Sequence, residues 1–185
     1  NAIGEVIKDM RLPGKVVAHT AAAVQKDILK KVTDDYAVFY PLQTLRKETE
    51  YLPEVPFFID AASSRARMEL EKLAQSVSPE KVQSTTDDQR LKLHVAAVVV
   101  SNFTNYLYRL AEEYCKKEGL DFRLLIPLIE ESATRLRTAS PSAVQTGPAY
   151  RNDIATIEKH LALLKDHPAL QQVYAFLSEK ISLKG

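Results

Sequence analysis

The chain has 185 residues, of which 45% are hydrophobic and 26% are charged, and its formal net charge is +1. This composition is typical of a folded protein with one ordinary domain or two small ones. It argues against a disordered chain, and the nearly neutral charge with unclustered basic residues argues against nucleic-acid binding.

The number of cysteines and the length of the apolar runs indicate the cellular compartment of the protein. Cys115 is the only cysteine, which excludes an internal disulfide framework and fits a reducing compartment. The longest purely apolar run, residues 95–100, is far too short to span a membrane, and the first residues carry no signal-peptide pattern. We therefore expect a cytoplasmic protein that binds neither a membrane nor nucleic acid.

Strand and helix patterns alternate over the first 86 residues. Short β-branched or aromatic runs predict strands at 15–20, 36–44 and 55–62, and an edge strand at 81–85. This alternation favours an α/β sheet.

Two helices are predicted between these strands from the spacing of their apolar residues. The first covers residues 22–32 and the second covers residues 63–77. The predicted inward-facing residues are Ile28, Leu29 and Val32 in the first helix and Met68, Leu70, Leu73 and Val77 in the second.

From residue 86 the pattern is helical only. Thr86 and Gln89 form a capping-box signature, and the helix behind them is predicted to run from residue 87 to 117 and to end at Gly119. Such a helix is roughly 45 Å long. Its middle, residues 93–100, is apolar on all sides, so we expect other helices to cover it.

Further helices complete the predicted fold. Pro127 is expected to kink or restart the next helix, and helices at 152–165 and 169–182 follow. We place a domain boundary near residue 86, with an α/β domain at 1–86 and an all-α domain at 87–185.

Polar residues interrupt the apolar part of the long helix. At 100° per residue, Ser101 and Asn105 lie about 20° to either side of His94, and Asn102 lies about 80° from His94. One interpretation is hydrogen bonding between helices, because buried polar groups need partners. The other is a surface that faces a substrate, with His94 exchanging a proton near neutral pH.

Polar residues also end two of the predicted strands. His19 and Thr20 follow the first strand, where open α/β sheets bind ligands, and Gln43 and Thr44 end the second. Thr20 alternatively caps the next helix, and both roles are compatible because helix N-termini bind anions and cofactors.

A separate candidate lies at residues 147–153, GPAYRND. Gly147 and Pro148 shape a tight turn, and Asp153 suits the start of a helix. Arg151 is unfavourable there and needs an anionic partner, either Asp153 or a ligand carboxylate or phosphate. His160 shares a face with Asp153 and is more easily explained as a structural residue.

The sequence contains no metal-binding pattern. The histidines at 19, 94, 160 and 167 are scattered, and no HxxxH or CxxC spacing occurs. A glycine-rich dinucleotide loop is also missing from these residues.

Six segments together resemble a known family: VVAHTAAAV, AVFYPLQT, VPFFIDA, LHVAAVVVSNFTNYLY, PLIEESA and QTGPAYRNDIATIEKHLALL. They are similar to Rossmann-like oxidoreductases that carry a C-terminal domain of unknown function and are related to pyrroline-carboxylate reductase and to the phosphogluconate and hydroxyacid dehydrogenases. The resemblance implies the remnant of a Rossmann-like sheet followed by an all-α domain, mostly helical overall. The chain lacks the family's glycine-rich half, so we expect the full-length protein, and not this chain alone, to bind NADP.

The resemblance also implies roles for the candidate residues. His19 and Thr20 would lie on the cofactor side of a cleft, and His94 and Asn102 would be catalytic. The residues expected to bind substrate are Gln43, Ser101, Asn105, Gly147 and Arg151. We expect hydride transfer between nicotinamide and a C=O or C=N centre of a small anionic substrate, in a homodimer formed through the helical domain. The alternative is a non-catalytic module for dimerisation or ligand sensing.

Overall fold

The structure is a computed structural model that describes residues 2–44, 54–79 and 81–183. It divides into two compact units, residues 1–102, called the sheet unit below, and residues 103–185, called the helical unit. The division falls inside the long helical stretch, later in the chain than residue 86, where the sheet gives way to helices. Within the described ranges, no helix is long and apolar enough to cross a membrane.

The elements follow one another in the order of the sequence patterns. The strands are β1 Val17–His19, β2 Tyr36–Pro41, β3 Phe57–Ala61 and β4 Val82–Ser84. The helices are α1 Ala2–Val6, α2 Ser64–Val77, α3 Asp87–Ala97, α4 Thr104–Lys117, α5 Ile126–Arg135, α6 Ile154–Leu163 and α7 Pro168–Ser182. Short 3₁₀ turns cover Lys26–Leu29 and Phe122–Leu125, and a π-helix covers Val98–Phe103.

The four predicted strands form one mixed sheet in the order β1-β2-β3-β4. β1 and β2 are parallel, β2 and β3 are antiparallel, and β3 and β4 are parallel. The sheet packs one face against α2 through a core of Ala37, Val55, Phe57, Ile59, Ala66, Leu70 and Ala74. The predicted α/β layer followed by helices is therefore confirmed.

The buried face of α2 differs from the predicted one. Leu70 is buried as expected, but Met68 is 56% and Leu73 is 52% exposed, and Val77 is exposed too. The residues that join Leu70 in the core are Ala66 and Ala74, four positions to either side. Small side chains at this spacing let the helix backbone approach the sheet closely, and periodicity of large residues alone does not reveal that preference.

The predicted helix at 22–32 does not form. Only the 3₁₀ turn at Lys26–Leu29 is helical, and the preceding residue, Gln25, is extended at φ −67° and ψ 144°. Leu29 and Val32 are nevertheless buried, as their apolar character predicted. The helix that Thr20 would have capped is therefore absent, and side chains from elsewhere satisfy the polar groups of this segment, as described below.

Residues 87–117 are helical in three consecutive segments, α3, the π-helix and α4. The predicted capping box at Thr86 and Gln89 is present, and Gly119 follows the helix with a φ of +72°. The expected covering of residues 93–100 is wrong, since Val95 is 61% and Val100 is 73% exposed.

The helical unit follows the predicted order. Pro127 lies in the first turn of α5, after a separate 3₁₀ turn, and so marks a restart of the helix. Helices α6 and α7 lie where they were expected. In the part of this unit that the structure describes, the buried hydrophobic residues are Leu110, Cys115, Ala149 and Leu164.

Candidate functional site

The sheet unit contains a cavity of about 390 Å³ between the end of β2 and the helix that starts at Asp87. Its volume lies in the usual range of small-molecule pockets. Apolar side chains form most of the wall, and the polar residues that line it are Tyr40, Gln43, Thr44, His94, Ser101 and Asn102. Mostly apolar walls with a few polar groups are typical of a site that orients a small ligand.

Strand alternation brings Tyr40 to this cavity. In β2, Ala37 faces α2, whereas Val38 and Tyr40 belong to a second core cluster together with Ala22. Successive side chains of a strand point to opposite faces, so Tyr40 emerges on the face opposite α2. Tyr40 is 8% exposed, and its ring lies 6.4 Å from that of Phe58 on β3.

Tyr40 and His94 form the central polar pair of the cavity. The Tyr40 hydroxyl lies 3.2 Å from His94 Nδ1, and the two rings meet edge to face with centroids 6.3 Å apart. Burial raises the pKa of Tyr40, and the nearby charge of Arg90 partly opposes that rise. The hydroxyl is therefore protonated at neutral pH and can donate to Nδ1. With that donation, a neutral His94 carries its own proton on Nε2.

The π-helix accounts for the presence of Asn102 beside His94 and Ser101 in the wall of the cavity. A straight α-helix would place Asn102 about 80° away from His94. A π-helix has wider turns, so each residue rotates the chain less, and such segments often occur at functional sites. Ser101 and Asn102 both line the cavity with His94, while Asn105 does not.

Asn105 lies in the helical unit, where it lines a different cavity of about 370 Å³. The other lining residues are Tyr108, Arg109, Glu112, Phe122, Ile126 and Ile129. The structure thus separates Asn105 from the cavity that holds Ser101 and His94, although a straight helix would have aligned all three.

The strand end at His19 and Thr20 is ordered by local hydrogen bonds. His19 is 6% exposed, its Nδ1 accepts from the Ala21 amide at 3.3 Å, and its Nε2 lies 3.3 Å from the Gln25 carbonyl oxygen. Burial lowers the pKa of His19, so the ring is neutral at physiological pH. Thr20 is exposed, and its hydroxyl makes no hydrogen bond within the described ranges. The ring of His19 therefore shapes this loop, while Thr20 remains available to a ligand.

Residues 147–153 form the tight turn that the sequence predicts. Gly147 has a φ of +112°, which favours glycine, and Asn152 adopts a left-handed φ of +53°. The amide of Asp153 donates to the Pro148 carbonyl at 2.9 Å, and Ser182 donates to the carbonyl of buried Ala149 at 3.0 Å. This turn holds Arg151 at the surface of the helical unit.

The structure also decides how Asp153 is used. Its carboxylate accepts from the amide and the hydroxyl of Thr156, at 3.1 and 2.7 Å, and caps α6. These bonds lower the pKa of Asp153, and the charge of Arg151 adds to the effect. Among the described residues the Arg151 guanidinium forms no hydrogen bond or salt bridge. Asp153 is thus committed to the cap, which leaves Arg151 free for another anion.

His160 belongs to a second histidine–tyrosine pair. Its Nδ1 lies 2.7 Å from the hydroxyl of Tyr174 on α7. The small cavity of about 190 Å³ beside it is otherwise lined by Tyr114, Leu163, Leu164 and Leu170. A histidine with this partner and apolar neighbours fits the structural role predicted for it.

Sequence reasoning missed two residues of the sheet unit. Tyr40 was assigned only to a strand, although strand alternation from buried Val38 would have placed both on one face. Arg90 precedes His94 by one helical turn, and nothing in its local pattern distinguishes it from a surface arginine. No group of three or more metal-ligating side chains comes together in the ranges that the structure covers.

The chain consists of an α/β layer that contains the cavity, followed by a helical region. Comparison with known proteins places the chain in a family. Residues 55–181 match a domain of unknown function, DUF2520, and the chain belongs to that family. A comparison with curated protein sequences gives no match.

Solved structures that are similar to the chain include two crystal structures of bacterial proteins. The "putative NADP oxidoreductase BF3122" from Bacteroides fragilis is 40% identical with a TM-score of 0.84, over 90% of this chain and 64% of that protein. The chain therefore spans less than two thirds of the length of the Bacteroides protein. Protein TM1727 from Thermotoga maritima shares the fold at 22% identity, with a TM-score of 0.75 over 97% of this chain and 72% of that one.

Proposed function

We propose that this chain forms the substrate-side part of an NAD(P)-dependent oxidoreductase that acts on a C=O or C=N centre of a small anionic substrate. The observation that carries the proposal is the Tyr40–His94 pair at the cavity of about 390 Å³. The similarity to a Bacteroides protein named as an NADP oxidoreductase supports the reaction class.

The residues of the cavity suit proton transfer to a reduced substrate. His94 Nε2 has no hydrogen-bond partner among the described residues, whereas Nδ1 is held by Tyr40. In this arrangement Nε2 donates its proton to the developing alkoxide or amine while the Tyr40 hydroxyl passes its proton to Nδ1, so His94 stays neutral. The tyrosinate that remains takes a proton back from water. The nicotinamide cofactor, when bound, supplies the hydride.

Three further side chains of the cavity would orient the substrate. Asn102 offers both a donor and an acceptor, Ser101 offers a hydroxyl, and Gln43 offers an amide from the opposite wall. All three are exposed. Ser101 and Asn102 can exchange water for substrate, and Gln43 keeps its amide NH₂ for substrate because its Oε1 accepts from the Thr44 amide at 2.9 Å.

Arg151 is our candidate for recognition of an anionic group. It is exposed, and its neighbour Asp153 is occupied by the α6 cap. A guanidinium binds carboxylate or phosphate with two parallel hydrogen bonds, which favours arginine for this role. Gly147, whose φ of +112° permits the turn, positions the segment.

The residues of this chain fit only one end of a dinucleotide. Thr20 is exposed at the carboxyl end of parallel strand β1, where open α/β sheets bind cofactors. A glycine-rich turn at a helix N-terminus, which would bind the pyrophosphate, is not found in the described part of the chain. We therefore expect NADP to require residues beyond these 185.

Cofactor binding and turnover test the proposal. The full-length gene product should bind NADPH and oxidise it in the presence of a 2-oxo acid or a cyclic imino acid, measured by the loss of NADPH absorbance. The 185-residue chain alone should not bind NADPH in calorimetric titration. Tight binding by this chain would contradict the placement of the cofactor, and no turnover with either substrate class would contradict the reaction.

Arg151 supplies a separate test with a matched control. The variant Arg151→Met should raise KM for the anionic substrate by roughly tenfold, because it removes a charged hydrogen bond, and should leave kcat nearly unchanged. Arg137→Met removes another exposed arginine of the same unit and should change neither value. Equal effects of the two substitutions would remove Arg151 from substrate recognition.

We also propose that the helical unit associates with a second copy of the chain, and a non-catalytic dimerisation module is the alternative function. Exposed large apolar residues support this association: Leu124 at 76%, Leu163 at 65%, Leu128 at 63%, Phe176 at 57% and Ile154 at 57%. Exposed apolar surface of this kind marks interaction sites. The open cavity at His94 and the exposed Arg151 favour the enzyme over the purely structural alternative, since neither residue is sealed among protein partners.

A further inference from the structure

Arg90 on α3 is the largest fully buried side chain of the described residues, with 1% of its surface exposed. A buried charge is costly unless it is paired and hydrogen-bonded. Its partners are the Ala22 carbonyl at 3.0 Å, the Val24 carbonyl at 2.6 Å and the Asp87 carboxylate. Nη1 is equally buried and has no partner in the described structure. An unsatisfied buried donor reduces the net contribution of this side chain to stability, which points to a role other than stability alone.

The carbonyls that Arg90 binds belong to the segment between β1 and the 3₁₀ turn, residues 20–25, called the β1 loop here. The amide of the next residue, Lys26 at the start of the 3₁₀ turn, donates to the Asp87 carboxylate at 3.2 and 3.3 Å. His19 bonds to the loop from the other side, through the Ala21 amide and the Gln25 carbonyl. Side chains thus make the hydrogen bonds to the backbone of this segment that a helix would have made. Arg90 alone satisfies two carbonyls of the β1 loop.

Arg90 also lies next to the proposed reaction site. It precedes His94 by four residues on α3, so both side chains leave the same side of the helix. Its charge acts on both Tyr40 and His19: it partly opposes the rise that burial causes in the pKa of Tyr40, and it adds to the fall that burial causes in the pKa of His19. One guanidinium therefore connects the β1 loop with the helix that carries His94.

We propose that Arg90 is a positioning residue that fixes the β1 loop against α3, and thereby sets the place of the exposed Thr20 relative to His94. The inference rests on the proposed function for its catalytic consequence. The ordering of the loop itself does not depend on that function. A guanidinium is required because only its fork reaches both carbonyls and the carboxylate together.

Hydrogen exchange of the 185-residue chain tests the ordering of the loop without any ligand. The variants are Arg90→Lys, which keeps the charge but not the fork, and Arg90→Met, which keeps neither. We expect exchange of the amides at 21–26 to rise at least tenfold in both variants, with β2 and β3 unchanged. Arg67→Met, which removes an exposed ion pair with Glu71 and a hydrogen bond to Ser84 on β4, is the control and should leave the β1 loop unchanged. Unchanged exchange at 21–26 would overturn the inference, as would an equal rise throughout the sheet.

Kinetics of the full-length gene product test the catalytic consequence. Arg90→Lys should raise KM for NADPH by roughly tenfold, because the loop is no longer held, while kcat changes by less than about twofold. A fall in kcat with unchanged KM would overturn the positioning role. Absence of NADPH oxidation in the unaltered protein would instead refute the proposed function, and the exchange measurement would still decide whether Arg90 orders the loop.

Discussion

The two units of this chain carry the same pair of side chains in different surroundings. In the sheet unit, Tyr40 and His94 meet at 3.2 Å beside a large cavity with several polar residues in its wall. In the helical unit, His160 and Tyr174 meet at 2.7 Å beside a small and mostly apolar cavity. A histidine–tyrosine hydrogen bond is therefore not a sign of function by itself. The size of the adjacent cavity and the polar groups in its wall distinguish the pair in the sheet unit from the pair in the helical unit.

The units also differ in how they are packed. The sheet unit buries large apolar side chains between the sheet and α2, whereas α5 and α6 contain no buried residue in the described structure. The sheet unit has a core of its own. The helical unit exposes large apolar side chains, among them Leu124 and Leu163.

Truncation of the sheet core should have the largest effect on stability. Leu70→Ala removes a side chain from the centre of the α2 interface and should cost about 2–5 kcal/mol in the free energy of unfolding. Leu73→Ala, on the exposed side of the same helix, should cost less than about 0.5 kcal/mol. Urea denaturation checks both values, and similar costs would show that α2 does not pack as described.

A charged residue introduced on the apolar surface of the helical unit should weaken self-association of the chain. Leu128→Lys should weaken self-association by at least about tenfold, since a lysine in an apolar interface loses hydration. Met68→Lys adds the same charge at a comparably exposed position of the sheet unit and should not change self-association. Sedimentation equilibrium measures both. A monomeric parent protein would contradict the proposed dimer.

Loss of the tyrosine hydroxyl should lower activity in one histidine–tyrosine pair and not in the other. Tyr40→Phe removes the hydrogen bond that fixes the His94 tautomer and should lower kcat/KM by roughly fivefold, as expected for about 1 kcal/mol. Tyr174→Phe removes the corresponding bond to His160 and should leave kcat/KM unchanged. The distinction between the pairs fails if both variants lose activity to the same extent.

The smallest predicted effect is the pH dependence of the sheet unit. Burial lowers the pKa of His19 below its usual 6.5, so the unfolded chain binds a proton at a higher pH than the folded chain does. The contribution of neutral His19 to the free energy of unfolding is complete above about pH 6.5. It is lost as the pH falls from there through the pKa of His19 in the folded chain. Replacement of His19 by Gln should flatten stability against pH in this window. An unchanged slope would show that His19 does not titrate on unfolding.

The sequence predicted the elements better than it predicted their environments. All four strands and the helices from α2 to α7 occur where their periodicity placed them. The segment 22–32 was misassigned because its loop is held by Arg90 and Asp87, more than sixty residues away in the chain. Local patterns contain no trace of such a partner.

The grouping of the candidate polar residues around one cavity follows from the sequence only in part. His94, Ser101 and Asn102 line one cavity, but straight-helix geometry grouped Asn105 with them because a π-helix cannot be read from residue spacing. Tyr40 could have been found from strand alternation. Arg90 could not, because burial of an arginine depends on carbonyls supplied by a distant loop.

The most direct test of the central claim compares the two histidines in one assay. In the full-length gene product, His94→Gln should lower kcat/KM for NADPH-dependent reduction by about 10²–10⁴-fold, the usual contribution of a positioned acid or base. His160→Gln should stay within about twofold of the unaltered protein, since its partner and cavity are structural. Full activity of the His94 variant, or equal losses in both variants, would contradict the assignment of the reaction to the Tyr40–His94 cavity.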